Sequence, residues 1–231
     1  MLVTRIASVS RATPSTRIIK LDLAGQPFHH RAGQLAEIGP AGGQALVPYS
    51  IAGAPGDTIR DGRLEFLVKV DAQGRWGEDF APPRRGQLIR VRGPIGRFTF
   101  PADPAETHFL FIAGGTGIAP LRAMIRHARA HIPGALRLLY SARTADDFAY
   151  RSELRGMARR KEIELVLTAT RDVHERWRWG RGRITSSQLQ GLIDDPETLC
   201  FVCGPASMVD DVPRMLEDLG IERSRIRVEE W

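Results

Sequence analysis

The most concentrated chemistry in the sequence lies in His108-Phe109-Leu110-Phe111-Ile112-Ala113-Gly114-Gly115-Thr116-Gly117-Ile118-Ala119-Pro120. A short apolar, β-forming run stops at a glycine cluster, and apolar residues then recur at helical spacing from Leu121. Strand, tight turn and helix in this order bring backbone N–H groups and a helix N-terminus against a phosphate. Gly114, Gly115 and Gly117 let the backbone approach a ligand, and Thr116 adds a hydroxyl. Pro120 suits a first helical turn, where its missing N–H costs nothing. Because Pro120 stands where the third glycine of G-x-G-x-x-G would be, these residues also fit a glycine-rich turn that holds no ligand.

Cys200 and Cys203 are the only cysteines, and their C-x-x-C spacing is that of redox and metal pairs. Thr198–Cys203 reads as a buried strand, however, in which residues three apart face opposite ways. Neither a disulfide nor a shared metal is expected. Two thiols fall short of the four an iron–sulfur cluster takes, and the six histidines form no ligand set, so no metal is expected. No histidine is motif-linked to Cys203, which argues against a nucleophile and leaves a small buried residue as the plain reading.

The elements that position these residues follow from periodicity. Residues 1 to about 100 read as β, with alternating runs at Arg17–Leu23, Leu35–Ile38, Arg63–Val70 and Leu88–Arg92. Turn clusters separate them, among them Pro40-Ala41-Gly42-Gly43 and Gly53-Ala54-Pro55-Gly56. Short strands with such punctuation predict a barrel or sandwich. Pro101-Ala102-Asp103-Pro104 reads as a linker, dividing the chain into domains 1–103 and 104–231. Beyond it strands and helices alternate. Strands are expected at Phe109–Ile112, Leu136–Tyr140, Ile163–Thr168, Leu199–Cys203 and Arg225–Glu229. Helices are expected at Leu121–His131, about Asp146–Arg159, from Ser186, and at Ala206–Leu219, with Thr144 and Asp147 at capping-box spacing. Such an open parallel α/β sheet binds ligands at the carboxyl ends of its strands.

At 231 residues the chain is long enough for one large core or two small ones. A net charge of +6 rests almost wholly on arginine and suits acidic partners or phosphate ligands; no zinc-finger or RNA-binding pattern accompanies it. No apolar run approaches the ~20 residues that cross a bilayer, and the first residues lack a signal-peptide layout. A cytoplasmic protein without membrane insertion or nucleic-acid binding is expected.

Four stretches stand in register: Pro48-Tyr49-Ser50-Ile51, Gly114–Pro120, Cys203-Gly204-Pro205 with Met208, and Val228-Glu229-Glu230-Trp231. Together they resemble the ferredoxin–NADP reductase superfamily over essentially the whole chain. The resemblance implies an N-terminal antiparallel Greek-key β-barrel that binds FAD, with FMN the lesser choice, and a C-terminal Rossmann-like domain for NADPH or NADH. It implies that Tyr49 lies against the isoalloxazine, where an aromatic face supplies stacking, and that Ser50 bonds flavin N5. By the same resemblance Pro48, Val68, Val70, Gly74, Arg75, Trp76 and Gly77 are expected in the flavin site. Gly114–Gly117 and Pro120 are expected to cradle the dinucleotide pyrophosphate, and Cys203, Gly204, Pro205 and Met208 to reach the nicotinamide end. Glu229 is expected to be the carboxylate of proton handling, and Trp231 to cover the flavin face.

Two positions depart from the pattern. Val47 occupies the place of the arginine that clamps the flavin pyrophosphate, and Gly77 ends a segment that often ends in Ser or Thr. Arg75 or Arg97 is a candidate for the missing cation. For the co-substrate, the second parallel strand ends Tyr140-Ser141-Ala142-Arg143 with no carboxylate before Asp146, and Thr170-Arg171 resembles the pair that contacts the 2′-phosphate. NADP binders place arginine where NAD binders place a carboxylate, so NADPH is favoured. The arginine-rich segment Arg171–Arg183, with Trp177 and Trp179, reads as a basic rim for that phosphate or for an acidic carrier, or else as a solvated loop with its tryptophans folded on the sheet. The expected activity is hydride transfer from NAD(P)H to FAD and single-electron release to ferredoxin, flavodoxin or an oxygenase component. Reduction of free flavin or ferric chelates, and a non-catalytic nucleotide-binding module, are the alternatives.

Overall fold

The computed structural model describes residues 1–78, 80–171 and 177–230. They divide into two compact units, Met1–Phe100 with Arg122–His127, and Pro101–Leu121 with Ala128–Trp231.

The first unit carries β1 (Leu2–Thr13), β2 (Thr16–Asp22), β3 (Leu35–Pro40), β4 (Val47–Ser50), helix α1 (Pro55–Asp61), β5 (Arg63–Lys69) and β6 (Leu88–Ile95). The strands form one antiparallel sheet in the order β4-β3-β6-β1-β2-β5. A bridge between Ile51 and Phe66, with Ala52 N donating to Glu65 O at 2.8 Å, joins the two edges and closes the barrel. Alternate residues point inward, so Ile19, Leu21, Leu64, Phe66 and Val68 pack with Ile6, Ile38, Ile89 and Val91.

Two elements escaped the periodicity. β1 is the longest strand, yet its register shifts at Ile6/Ser8 and Arg11/Thr13, which breaks the two-residue alternation. Gly53–Gly56, expected as a turn, instead leads into α1, with Pro55 in its first turn and Gly62 at φ 62° closing it. A Pro-Gly pair signals a turn, but proline also suits the first helical position.

Asp57 of α1 receives Arg126 Nε at 2.6 Å and Nη2 at 2.9 Å, together with Arg60 Nη2 at 2.9 Å and Ala54 N at 3.2 Å. Burial pushes the Asp57 carboxyl up, but the bonds and charge of Arg126 and the other donors outweigh it and hold the pKa well below the carboxylate range. A depressed folded-state pKa contributes stability in full above the unfolded value of ~3.9 and loses it as the pH falls toward the folded one. Asp57→Asn is therefore expected to lower stability at pH 7 by about 2 kcal/mol, and the gap between variant and wild type should narrow steadily below about pH 4. Urea midpoints across pH check this; a gap independent of pH contradicts it.

The second unit carries β7 (His108–Gly114), α2 (Ile118–His131), β8 (Ala135–Ala142), α3 (Arg151–Arg159), β9 (Glu164–Ala169), β10 (Gly180–Arg181), α4 (Ser186–Gln190), β11 (Leu199–Gly204), α5 (Ala206–Asp218) and β12 (Ile226–Glu230). The middle of α2, Arg122–His127, is grouped with the first unit. The strands are parallel in the order β10-β9-β8-β7-β11-β12. All five expected strands are present, with ends moved by a residue or two. β10, only two residues long, is too short for periodicity to register.

Helix α2 begins at Ile118, ahead of the expected Leu121. The helix expected over 146–159 is divided. Ala145–Asp147 makes one 3₁₀ turn, in which the Asp147 carboxylate accepts from Thr144 N at 3.2 Å and from its Oγ at 2.8 Å. Tyr150 at φ 58° then separates this turn from α3. Left-handed backbone is ordinarily signalled by glycine, so a tyrosine there left no mark in the sequence. Among the described residues, no helix is long and apolar enough to cross a membrane.

Candidate functional site

In the second unit the strand order reverses at β7: β8, β9 and β10 extend to one side, β11 and β12 to the other. Open parallel sheets bind ligands at the carboxyl ends of the strands beside such a reversal. Here the turn Gly114–Gly117 meets the segment Cys203–Met208. A Cβ on Gly114 would stand 2.8 Å from both Met208 Cε and Pro205 Cδ, and one on Gly117 would collide with the Cys203 carbonyl. A Cβ on Gly204 would stand 2.6 Å from Met208 Sδ. These three glycines permit the close packing of two strand ends. Gly115 differs. It is exposed at φ 55°, and a Cβ there would meet nothing within 4 Å. The space beside its Cα is therefore open, as a phosphate cradle requires. Thr116 beside it is half-buried, and Pro120 is buried in the first turn of α2.

At the neighbouring strand ends Ser141 is buried, while Arg143, Thr170 and Arg171 are exposed. Arg171 N donates to Arg143 O at 2.8 Å, and Thr170 N to Ala142 O at 2.9 Å, so the two arginines share one edge. Trp177 is buried, stacked on Phe148 at 5.4 Å, with the Arg151 guanidinium 5.9 Å from its ring. The tryptophan is thus folded in, while Arg178 and Arg183 on the same segment are exposed. The expectations for Trp231 and for residues 172–176 of the basic segment lie outside the described residues.

Cys203 pairs in register with Glu229, and Gly204 with Glu230, so the C-terminal carboxylates run alongside β11. Cys200 sits in the core cluster with Leu110, Ile112 and Val202. Cys203, three residues on, belongs to the opposite face of the strand. Burial pushes the Cys200 thiol up to about 12, which keeps it protonated and unreactive at neutral pH.

In the first unit, the Ser50 hydroxyl is buried at the end of β4 and has no hydrogen-bond partner among the described residues. Buried hydroxyls are ordinarily satisfied, so this one fits an acceptor or donor brought by a bound ring. Tyr49 is buried, its hydroxyl accepting Gly77 N at 3.2 Å and its ring 5.9 Å from Trp76. The Gly77 bond ties β4 to the loop 71–78. There Asp71 Oδ1 accepts from Arg75 N at 2.8 Å and Oδ2 from Arg75 Nε at 2.7 Å, and Gly74 takes φ 79°. Val68, Val70 and Trp76 belong to the barrel core, so their side chains are structural and only their backbone is left to meet a ligand. Val47 packs against that core and lies 3.3 Å from where a Gly77 Cβ would be, while Pro48 is exposed.

An antiparallel barrel followed by a parallel sheet whose glycine turn lies at a strand-order reversal is the two-domain fold of flavin- and nucleotide-binding oxidoreductases. Residues 3–100 match the family model for the oxidoreductase FAD-binding domain, and residues 111–214 that for the oxidoreductase NAD-binding domain. Ferredoxin–NADP reductase B of Sorangium cellulosum is 33% identical over 98% of this chain and 96% of its own. The chain belongs to the ferredoxin–NADP reductase superfamily.

The fold is shared with the flavohem-like FAD/NAD-binding domain of a Vibrio cholerae nitric oxide dioxygenase, at TM-score 0.83, 18% identity and 99% and 98% coverage of the two chains. A Neisseria gonorrhoeae ferredoxin NADP+ reductase with bound FAD and NADP superposes at TM-score 0.81, with 20% identity and 99% and 98% coverage. The protein is an NAD(P)H-dependent flavoprotein reductase that uses FAD.

Sequence reasoning missed one polar group at this site. The Tyr140 hydroxyl donates to Gly115 O at 3.0 Å and accepts from Ala149 N at 3.2 Å. A tyrosine inside an apolar strand carries no local signal of such bonds.

Proposed function

We propose that this reductase prefers NADPH and passes electrons one at a time to a separate acidic carrier protein of the ferredoxin or flavodoxin type. The observation that carries the co-substrate preference is the pair Arg143 and Arg171, exposed and hydrogen-bonded through their backbones at adjacent strand ends. No carboxylate stands between Tyr140 and Asp146 to hold a ribose 2′-OH. The carrier is supported by the relative named ferredoxin–NADP reductase B and by the net charge of +6, which favours an acidic partner.

Bound FAD supplies the chemistry that proteins lack, taking a hydride and releasing electrons singly. The chain's own groups orient and tune. Ser50 Oγ would bond flavin N5, and Tyr49 would offer its ring face. Gly114–Gly117 would bind the dinucleotide pyrophosphate through N–H groups, with Cys203 and Glu229 toward the nicotinamide. For the flavin pyrophosphate, Arg75 is better placed than Arg97 to replace the arginine absent at Val47. Its loop touches Val47 through Gly77. Arg97 instead follows Ile95, which pairs with Leu35, the partner of Ser50 at the other end of β4.

An absorption spectrum of the purified protein, taken before and after anaerobic NADPH or NADH, tests the reading. Flavin bands that bleach faster with NADPH, followed by reduction of added ferredoxin or flavodoxin, are expected. Equal bleaching by both nucleotides overturns the NADPH preference. Rapid turnover of free flavin or ferric chelates with no transfer to either carrier overturns the partner. In the same spectra Arg75→Ala should show reduced flavin content; full content removes Arg75 from the pyrophosphate site.

A further inference from the structure

We propose that Tyr140 is a positioning residue for the dinucleotide, its hydroxyl turning the Gly115–Thr116 peptide so that Thr116 N–H faces the ligand. The inference rests on reading Gly114–Gly117 as the pyrophosphate turn. Tyr140 is fully buried in β8, and its one hydroxyl spans two backbone groups: Gly115 O at 3.0 Å and Ala149 N at 3.2 Å. The amide can only donate and the carbonyl can only accept, so the hydroxyl proton is committed to Gly115. Burial pushes the phenol well above its ordinary value, which keeps that proton in place near neutral pH.

A trans peptide is planar, with its C=O and N–H pointing in opposite directions. Holding Gly115 O toward Tyr140 therefore turns Thr116 N–H the other way. We take that to be the open side of Gly115, which is exposed and where a Cβ would meet nothing within 4 Å. The left-handed φ of 55° at Gly115 makes this orientation accessible. Ile118 N also donates to the same carbonyl, so the turn is held from the helix and from the sheet.

The second bond extends the effect. Ala149 ends the segment that follows Arg143, and Phe148 beside it stands edge-on to Tyr140 at 5.0 Å and stacks on Trp177. One hydroxyl thus sets the spacing between the glycine turn and the segment that leaves the strand-end arginine. Pre-ordered donors cost less to align when a phosphate arrives.

The test titrates NADP+ into the oxidised FAD-loaded protein by difference absorption and follows NADPH turnover, using Tyr140→Phe, Phe148→Leu and Gly115→Val. Tyr140→Phe is expected to raise the NADP+ Kd and the NADPH KM about tenfold, with kcat and FAD affinity unchanged. Phe148→Leu, which spares the hydroxyl, should lower Tm without moving Kd. If Phe148→Leu raises Kd as much as Tyr140→Phe does, the role is merely structural and the proposal falls. If Tyr140→Phe leaves Kd within about twofold of wild type while Gly115→Val raises it, the turn reading stands and Tyr140 has no part in it. If neither variant moves Kd, the turn reading fails and takes the proposal with it. Should Tyr140→Phe not fold, the amide resonances of the wild-type protein decide. Thr116 N–H is expected to show the largest downfield shift in the turn on NADP+ addition, and an unmoved resonance overturns the proposal.

Discussion

Ser50→Ala is expected to slow reduction of the bound FAD by NADPH about a hundredfold, while leaving the cofactor-free protein at least as stable as wild type. The two halves have one origin. The Ser50 hydroxyl is buried and has no hydrogen-bond partner among the described residues. A buried hydroxyl without a partner costs about 1–3 kcal/mol, so deleting it removes a penalty from the empty barrel. If Ser50 bonds flavin N5 as proposed, the same deletion would also remove a donor at the atom where charge changes during hydride transfer. Anaerobic stopped-flow absorption and thermal melts of the flavin-free protein read the two effects separately. A variant that keeps the wild-type rate but melts earlier would show that the hydroxyl serves the barrel and not the flavin.

The second large effect concerns co-substrate choice. Replacing both Arg143 and Arg171 with alanine should raise the KM for NADPH about 10- to 100-fold, because a charge-assisted bond to phosphate is worth roughly 1.5–3 kcal/mol. The KM for NADH should stay within about twofold, since NADH carries no 2′-phosphate to lose. The arginines leave adjacent strand ends whose backbones are bonded directly, so their effects should be less than additive. Salt should weaken NADPH binding in the wild type more than in the double variant, because both guanidinium groups are exposed. A parallel rise in both KM values would assign the arginines to the shared part of the two nucleotides.

Much of this was legible without coordinates, and the physical reason is locality. The change from two-residue alternation to strand–helix alternation near Pro101–Pro104 follows from the side-chain directions of strands and helices. Five of the six parallel strands of the second unit were legible for the same reason. The glycine turn was legible because a glycine cluster between a strand and a helix marks a tight turn, whatever each glycine then meets. The elements that failed were those whose local signal points elsewhere: the bulged β1, the proline-initiated α1, and Tyr150 in a left-handed conformation.

The sequence by itself determined the two-part order of the chain, the glycine turn and the strand-end arginines, because each is written in a few consecutive residues. Tertiary structure decided which of them cooperate. It brought Gly117 against the Cys203 carbonyl, left Ser50 Oγ without a partner among the described residues, packed Val47 against the loop that carries Arg75, and joined Tyr140 to Gly115 and Ala149. Each of these depends on which segments the fold brings side by side, and spacing along a chain does not encode such pairing.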